Sequence, residues 1–170
     1  SKFHNKKMKK IFYLTFLISL FIFVNDCAGY KPIFGSTSLQ FEISNYDIEG
    51  DKILGNKLYS KLSNLSKAKK VNSNTKNFNL LINASKTKSA TSKDSSGKIL
   101  EYKINLNTKI KITDFITGKK LLEQNFNSSL NYKIQDQYSD TIKLENQTIE
   151  NLLNKTLQEI LIDLSRNISS

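Results

Sequence analysis

Apolar side chains alternate with polar ones in four stretches of this chain and recur every three or four residues in two others. Leu39, Phe41 and Ile43 share one side of an extended segment, with Gln40, Glu42 and Ser44 on the other, as in a half-buried strand. From Gly50–Asp51 the period lengthens, and Ile53, Leu54, Leu58, Leu62 and Leu65 describe one face of a helix that Gly55 weakens slightly. Residues 66–77 have no period and read as an exposed basic loop. Phe78, Leu80, Ile82 and Ala84 resume the alternation, and the polar stretch 86–98 reads as a flexible hairpin tip. The clearest strand follows. Leu100, Tyr102, Ile104, Leu106, Thr108, Ile110 and Ile112 line one face, while Glu101, Lys103, Asn105, Asn107, Lys109, Lys111 and Thr113 line the other.

Thr117-Gly118 turns the chain into a fourth strand with Leu122, Phe126, Leu130, Tyr132 and Ile134 on its apolar side, so strands three and four pair antiparallel. The last element is a long amphipathic helix that starts after Ser139, an N-cap, with Asp140 in its first turn. Its stripe runs through Ile149, Leu152, Leu153, Thr156, Leu157, Ile160, Leu161, Leu164 and Ile168. The sum is an α+β fold of order β-α-β-β-β-α, a four-stranded mixed or antiparallel sheet with two helices on one face. The mixed sheet is the one in which the first helix makes a right-handed crossover and strands one and two are parallel.

Ahead of this domain lies a different kind of segment. Met8 is the only methionine and marks the expected native start, with Lys9 and Lys10 forming a positive n-region. Ile11 to Val24 then interrupts its apolar run only at Thr15 and Ser19. As a helix it would reach roughly 21 Å, short of the ~30 Å hydrocarbon core of a bilayer. Length and flanks fit a signal peptide. The expected organisation is an N-terminal extension and signal peptide over 1–26, a tether over 27–37 holding Pro32, and one α+β domain over 38–170.

Export gives the single cysteine a meaning. One Cys in an exported chain forms no internal disulfide and is free, intermolecular or modified. Cys27 stands three residues after the apolar run, where bacterial lipoproteins are cleaved and acylated. Val24 fits the aliphatic position of a lipobox and Asn25 is compatible with it, whereas Asp26 departs from it. The other reading is ordinary cleavage after Gly29 with no anchor. Lipidation at Cys27 is the expectation, because acylation accounts for one cysteine surviving at that place.

Composition then removes whole classes of activity. The chain of 170 residues holds 26 Lys plus Arg against 15 Asp plus Glu. Taking away the leader's five lysines and Asp26 leaves 21 basic and 14 acidic residues, a net of +7 over 144 residues. Arg166 is the only arginine and Trp is absent, so the Arg forks and interleaved aromatics of nucleic-acid readers are missing. The only His is His4, and acylation would consume the only thiol; no triad, metal-ligand cluster or Gly-rich phosphate loop remains. The sequence calls for no catalytic residue, no metal and no cofactor: not an enzyme, and no nucleic-acid partner.

What remains is a polar sheet face. Plain solvation of an open antiparallel sheet explains it without any function. The functional reading is that Lys103, Lys109 and Lys111, on one side of a single strand, meet the sugar-phosphate headgroup of a lipid as point charges.

The segment Cys27-Ala28-Gly29-Tyr30-Lys31-Pro32-Ile33-Phe34-Gly35 resembles the mature N-terminus of the LPS-assembly lipoprotein family, LptE, with one extra residue, Ala28, after the cysteine. The order of elements is also similar to that family's. The resemblance implies an outer-membrane lipoprotein on the periplasmic side, anchored through acyl chains on Cys27. It implies a plug inside the LptD β-barrel that helps to assemble lipopolysaccharide into the outer leaflet, by binding rather than bond chemistry. The polar lumen of such a barrel would account for a polar sheet face. Two other readings stay open: a lipid- or solute-binding lipoprotein serving a transporter without a barrel partner, and a structural envelope lipoprotein.

Overall fold

The computed structural model describes residues 41–67 and 75–168. The signal peptide, Cys27, the tether and the middle of the basic loop lie outside the described residues. The elements are β1 (Phe41–Gly50), α1 (Lys52–Lys67), β2 (Lys76–Lys93), β3 (Ile99–Asp114), β4 (Lys120–Lys133) and α2 (Tyr138–Ile168). The strands lie in the sheet in chain order, with β1 parallel to β2 and the other pairs antiparallel. This is the expected β-α-β-β-β-α order and mixed sheet.

Alternation places the core. Ile104, Leu106, Thr108, Ile110 and Ile112 of β3 are buried on the side facing the helices, beside Phe78, Leu80, Ile82 and Ala84 of β2. Leu58 and Leu62 of α1 and Leu152, Leu153, Ile160 and Leu164 of α2 close the layer from above. Each buried side chain of this size contributes about 1.5–3 kcal/mol of transfer free energy.

Several boundaries differ from the sequence reading, each for a local reason. β1 continues to Gly50 because an irregularity in register between Ile43 and Asn45 changes the parity of the strand. Tyr46 and Ile48 are thereby brought onto the helix side, where Tyr46 stacks on Tyr59 of α1 with ring centroids 3.8 Å apart. α1 starts where Asp51 accepts hydrogen bonds from the amides of Ile53 and Leu54, an N-cap. Gly55 is buried because a Cβ there would stand 2.3 Å from Cγ2 of Ile48; the close approach of α1 to β1 requires it.

Residues 86–93, read as hairpin tip, belong to β2 and pair with β3 from Lys86↔Leu106 to Lys93↔Ile99. The tip itself is only Asp94 to Lys98. At the start of α2, Ser139 falls inside the helix. Thr141 holds the entry instead: its hydroxyl accepts a hydrogen bond from the Gln135 amide at 2.9 Å. Leu100 and Leu130, both assigned to the apolar side, are exposed near the sheet's end and edge.

Candidate functional site: the uncovered face of the sheet

The helices cover one face, and the pleat sends every second side chain to the other. On β2 that other face carries Asn83, Ser85 and Thr87; on β3 Asn105 and Asn107; on β4 Asn127 and Ser129. The result is a continuous ladder of amides and hydroxyls across three strands. Asn105 Nδ2 donates to Thr87 Oγ1 at 3.3 Å, one rung of it. The centre forms a shallow hollow of about 410 Å³ bordered by Ser85, Thr87, Asn105, Asn107, Asn127 and Ser129. A second, of about 470 Å³, lies over β1 to β3 between Asn45, Asp47, Asn79, Leu81, Lys111 and Thr113. Both hollows are open to solvent.

Lys103, Lys109 and Lys111 all stand on this uncovered face, paired across β3 and β4 with Asn131, Asn125 and Glu123. They do not form one cluster. Lys103 and Lys109 are six residues apart, about 20 Å along the strand. Lys109 and Lys120 instead share a carboxylate, which Lys111 faces across the strands. Lys109 Nζ lies 3.7 Å from Glu123 Oε1, and Lys120 Nζ lies 3.1 Å from Oε2 of the same group. The hydrogen bond from Lys120, with the charges of Lys111 and Lys109, holds Glu123 below the ordinary carboxylate range. Part of the positive field at that end is therefore neutralised within the sheet. The central ladder carries no charge, flanked by Lys103 on one side and the Lys109–Lys111 pair on the other.

A second constellation, which sequence reasoning missed, sits on the helix side. Lys88 projects from the far half of β2 across two tyrosines, its Nζ 4.3 Å from the Tyr102 ring centre and 5.5 Å from that of Tyr132. The same ammonium donates to Glu145 Oε2 of α2 at 2.6 Å, and the Tyr132 hydroxyl donates to that oxygen at 2.7 Å. Burial works against the charge on Lys88, but the Glu145 and Tyr132 contacts together outweigh it and raise the ammonium to about 12. Burial likewise opposes ionised Glu145, and Lys88 with Tyr132 nonetheless holds it below its usual value. The network ties α2 to β2 and β4 where apolar cover gives out. Only the Lys–Tyr–Tyr–Glu residue types, scattered through the chain, signalled it.

The sign of its pH dependence follows from these directions. Glu145, depressed when folded, contributes stability that is complete above its unfolded pKa and is lost as pH falls through the folded one. Lys88, raised when folded, contributes stability that persists below 10.5 and is lost as pH rises through about 12. Glu145→Gln is expected to cost about 1 kcal/mol at pH 7, a modest figure because Lys88 is partly open to solvent. It should also flatten the acid limb of a stability–pH curve measured by urea denaturation. An unchanged curve would remove the network from the account.

Among the described residues no group of three or more His, Cys, Asp or Glu side chains is placed to hold a metal ion. None of the described helices is long and apolar enough to cross a membrane.

A two-helix layer over one face of a four-stranded β-α-β-β-β-α sheet, with the other face polar and left uncovered by the described residues, is an α+β fold. Several solved structures similar to this one are of proteins described as lipoproteins. Uncharacterised lipoprotein B from Nitrosomonas europaea is similar with a TM-score of 0.56 and 20% identity, over 78% of this chain and 87% of that one. Rare lipoprotein B from Shewanella oneidensis has a TM-score of 0.52 and 14% identity, over 74% of this chain and 99% of that one. A minor lipoprotein from Acinetobacter baumannii has a TM-score of 0.52 and 15% identity, over 76% and 92%. At these identities the likeness concerns the fold. No family model and no curated protein matches the chain.

Proposed function

We propose that this chain is a lipid-anchored lipoprotein of the outer membrane's periplasmic side that plugs a large LptD-like β-barrel and assists it in assembling lipopolysaccharide into the outer leaflet. The observation that carries this reading is the uncovered sheet face. Three adjacent strands present amides and hydroxyls with almost no apolar side chain among them. The polar, hydrated lumen of an outer-membrane barrel is a complementary environment for such a face. The fold's occurrence in solved lipoproteins and the Cys27–Gly35 tether motif support the same reading. The competing lipid-carrier reading calls for an enclosed apolar cavity; the hollow over β2 to β4 is lined mainly by Asn, Ser and Thr, the second mixes Asn45, Asp47, Asn79, Lys111 and Thr113 with Tyr46, Leu80 and Leu81, and both stand open.

Purification of the tagged protein from membranes in mild detergent, with mass spectrometry of its partners and of its own N-terminus, tests the proposal. A stoichiometric large barrel protein together with acylated Cys27 is the expected result; an unpartnered protein would overturn it. Within the same reading, Lys103, Lys109 and Lys111 are the candidate contacts for the lipopolysaccharide headgroup. Changing all three to Gln should weaken binding of lipopolysaccharide at physiological salt while leaving the thermal transition in place. Unchanged binding would dispose of their role.

A further inference from the structure

The two β-hairpins of the sheet are built on the same turn chemistry and carry opposite cargo. At the β2–β3 tip, Asp94 Oδ1 accepts from the Ser96 and Lys98 amides and the Ser96 hydroxyl, and Gly97 has a positive φ of 86°. At the β3–β4 tip, Asp114 Oδ1 accepts from the Ile116 and Thr117 amides and the Thr117 hydroxyl, and Gly118 has φ 67°. The first tip displays Ser95 and Ser96. The second displays Phe115, 46% exposed, and Ile116, 82% exposed. An Asp-to-Gly turn of this kind needs no apolar residue at its crest, so the turn itself does not explain the pair. Nor is the crest loose: the Phe115 amide donates to Asn77 O at 2.8 Å and the Asp114 amide to Lys119 O at 2.8 Å. Presenting two large apolar side chains rigidly to water is a cost that a binding partner would recover.

Topology says which partner. β1 begins at Phe41 opposite Lys76, and β2 begins opposite the Asp114 end of β3. The chain therefore enters the sheet from its N-terminal segment at the same end as the Phe115–Ile116 tip, with the serine tip at the far end. From Cys27 to Phe41 the chain spans at most about 45–50 Å. Lys76, Lys119 and Lys120 border the tip; Lys120 is paired with Glu123 and Lys76 acts on Asp114, which leaves a small positive excess that suits anionic headgroups.

We propose that the Phe115–Ile116 tip is a second, non-covalent membrane contact, inserting into the headgroup region of the bilayer to which the chain is anchored. The inference rests on the proposed lipid anchor at Cys27. Acyl chains on Cys27 would hold the chain at the membrane without fixing how the domain is turned, and a contact of this kind adds to the anchor. An apolar crest with lysines beside it would hold this end of the sheet at the bilayer surface, outside the barrel's lumen, and so set the orientation of the plug within it.

The test places an environment-sensitive fluorophore at Ile116→Cys, or at Ser96→Cys as control, in the full chain reconstituted into phosphatidylethanolamine–phosphatidylglycerol vesicles. It is run both with acylated Cys27 and in the Cys27→Ser background at saturating lipid. The expected result is a blue shift and quenching by bromolipid at position 116 and neither at position 96. In the Cys27→Ser background, Phe115→Ser with Ile116→Ser should weaken vesicle association by about tenfold or more, equivalent to about 1.4 kcal/mol. An acylated, vesicle-bound chain whose position 116 stays in water would overturn the membrane contact and leave the anchor standing. A chain found unacylated whose position 116 still reports lipid would support the contact and overturn the anchor. An unacylated chain with position 116 in water would overturn both.

Discussion

Gly50→Ala is expected to destabilise the domain by about 3 kcal/mol, read as a fall in the urea midpoint with an unchanged slope. Gly50 ends β1 with φ 71°, a left-handed conformation that costs an L residue about 1–2 kcal/mol. The larger part comes from contact. A Cβ at this position would stand 2.3 Å from the carbonyl oxygen of Ala84, and that oxygen already accepts the Asp51 amide at 2.7 Å. The obstructing atom is backbone in the middle of β2, so relief requires moving the junction between β1 and α1. Overpacking of this kind adds about 1–3 kcal/mol. Gly118→Ala is the internal control. Its φ of 67° carries the same backbone cost, but nothing lies within 4 Å of the new Cβ, so the loss should be only about 1 kcal/mol. Equal losses at the two glycines would show that the close approach to Ala84 has no energetic weight.

Leu152→Ala is expected to cost about 3–4 kcal/mol, in the middle of the range for emptying a fully buried leucine site. Leu152 has no exposed surface and belongs to the part of the α2 stripe that closes over the sheet core. It shares one buried cluster with Ile104 and Ile110 of β3, and a strand paired on both sides leaves little freedom to collapse into a cavity. Leu130→Ala makes the contrast: it removes the same atoms from an edge strand at 41% exposure and should cost well under half as much. Thermal and urea unfolding of the two variants measure the difference. A Leu152→Ala protein as stable as the parent would mean that α2 is not docked on the sheet as described.

Much of the fold was legible because its determinants are periodic. Phe78 to Ala84, Leu100 to Ile112 and the Ile149–Ile168 stripe each repeat their apolar residues at the spacing of the element they form. What escaped was structure held by something other than burial. Residues 86–93 are strand because β3 pairs with them, while their own side chains are Lys, Ser, Thr and Ala, all exposed on the pleat. The second half of β1 was hidden by the irregularity after Ile43, which breaks the alternation on which the reading relied. At α2, a serine in an N-cap context proved less decisive than Thr141, whose role depends on the path of the chain six residues earlier.

The candidate site divides in the same way. That Lys103, Lys109 and Lys111 share a face follows from counting by twos. That Glu123 occupies the space beside Lys109 and Lys111, whereas Lys103 pairs across the strands with Asn131, follows only from the β3–β4 register. The Lys88–Tyr102–Tyr132–Glu145 network required four elements to meet, and no local pattern encodes such a meeting.

The central claim is that the uncovered amide face packs against the inside of a barrel. A photo-crosslinking amino acid at Asn107, in the middle of that face, tests it in intact cells with residues 1–40 retained. The account predicts one dominant high-mass adduct whose partner is a large outer-membrane β-barrel protein. A folded, membrane-associated chain that gives no barrel adduct at Asn107 would contradict it.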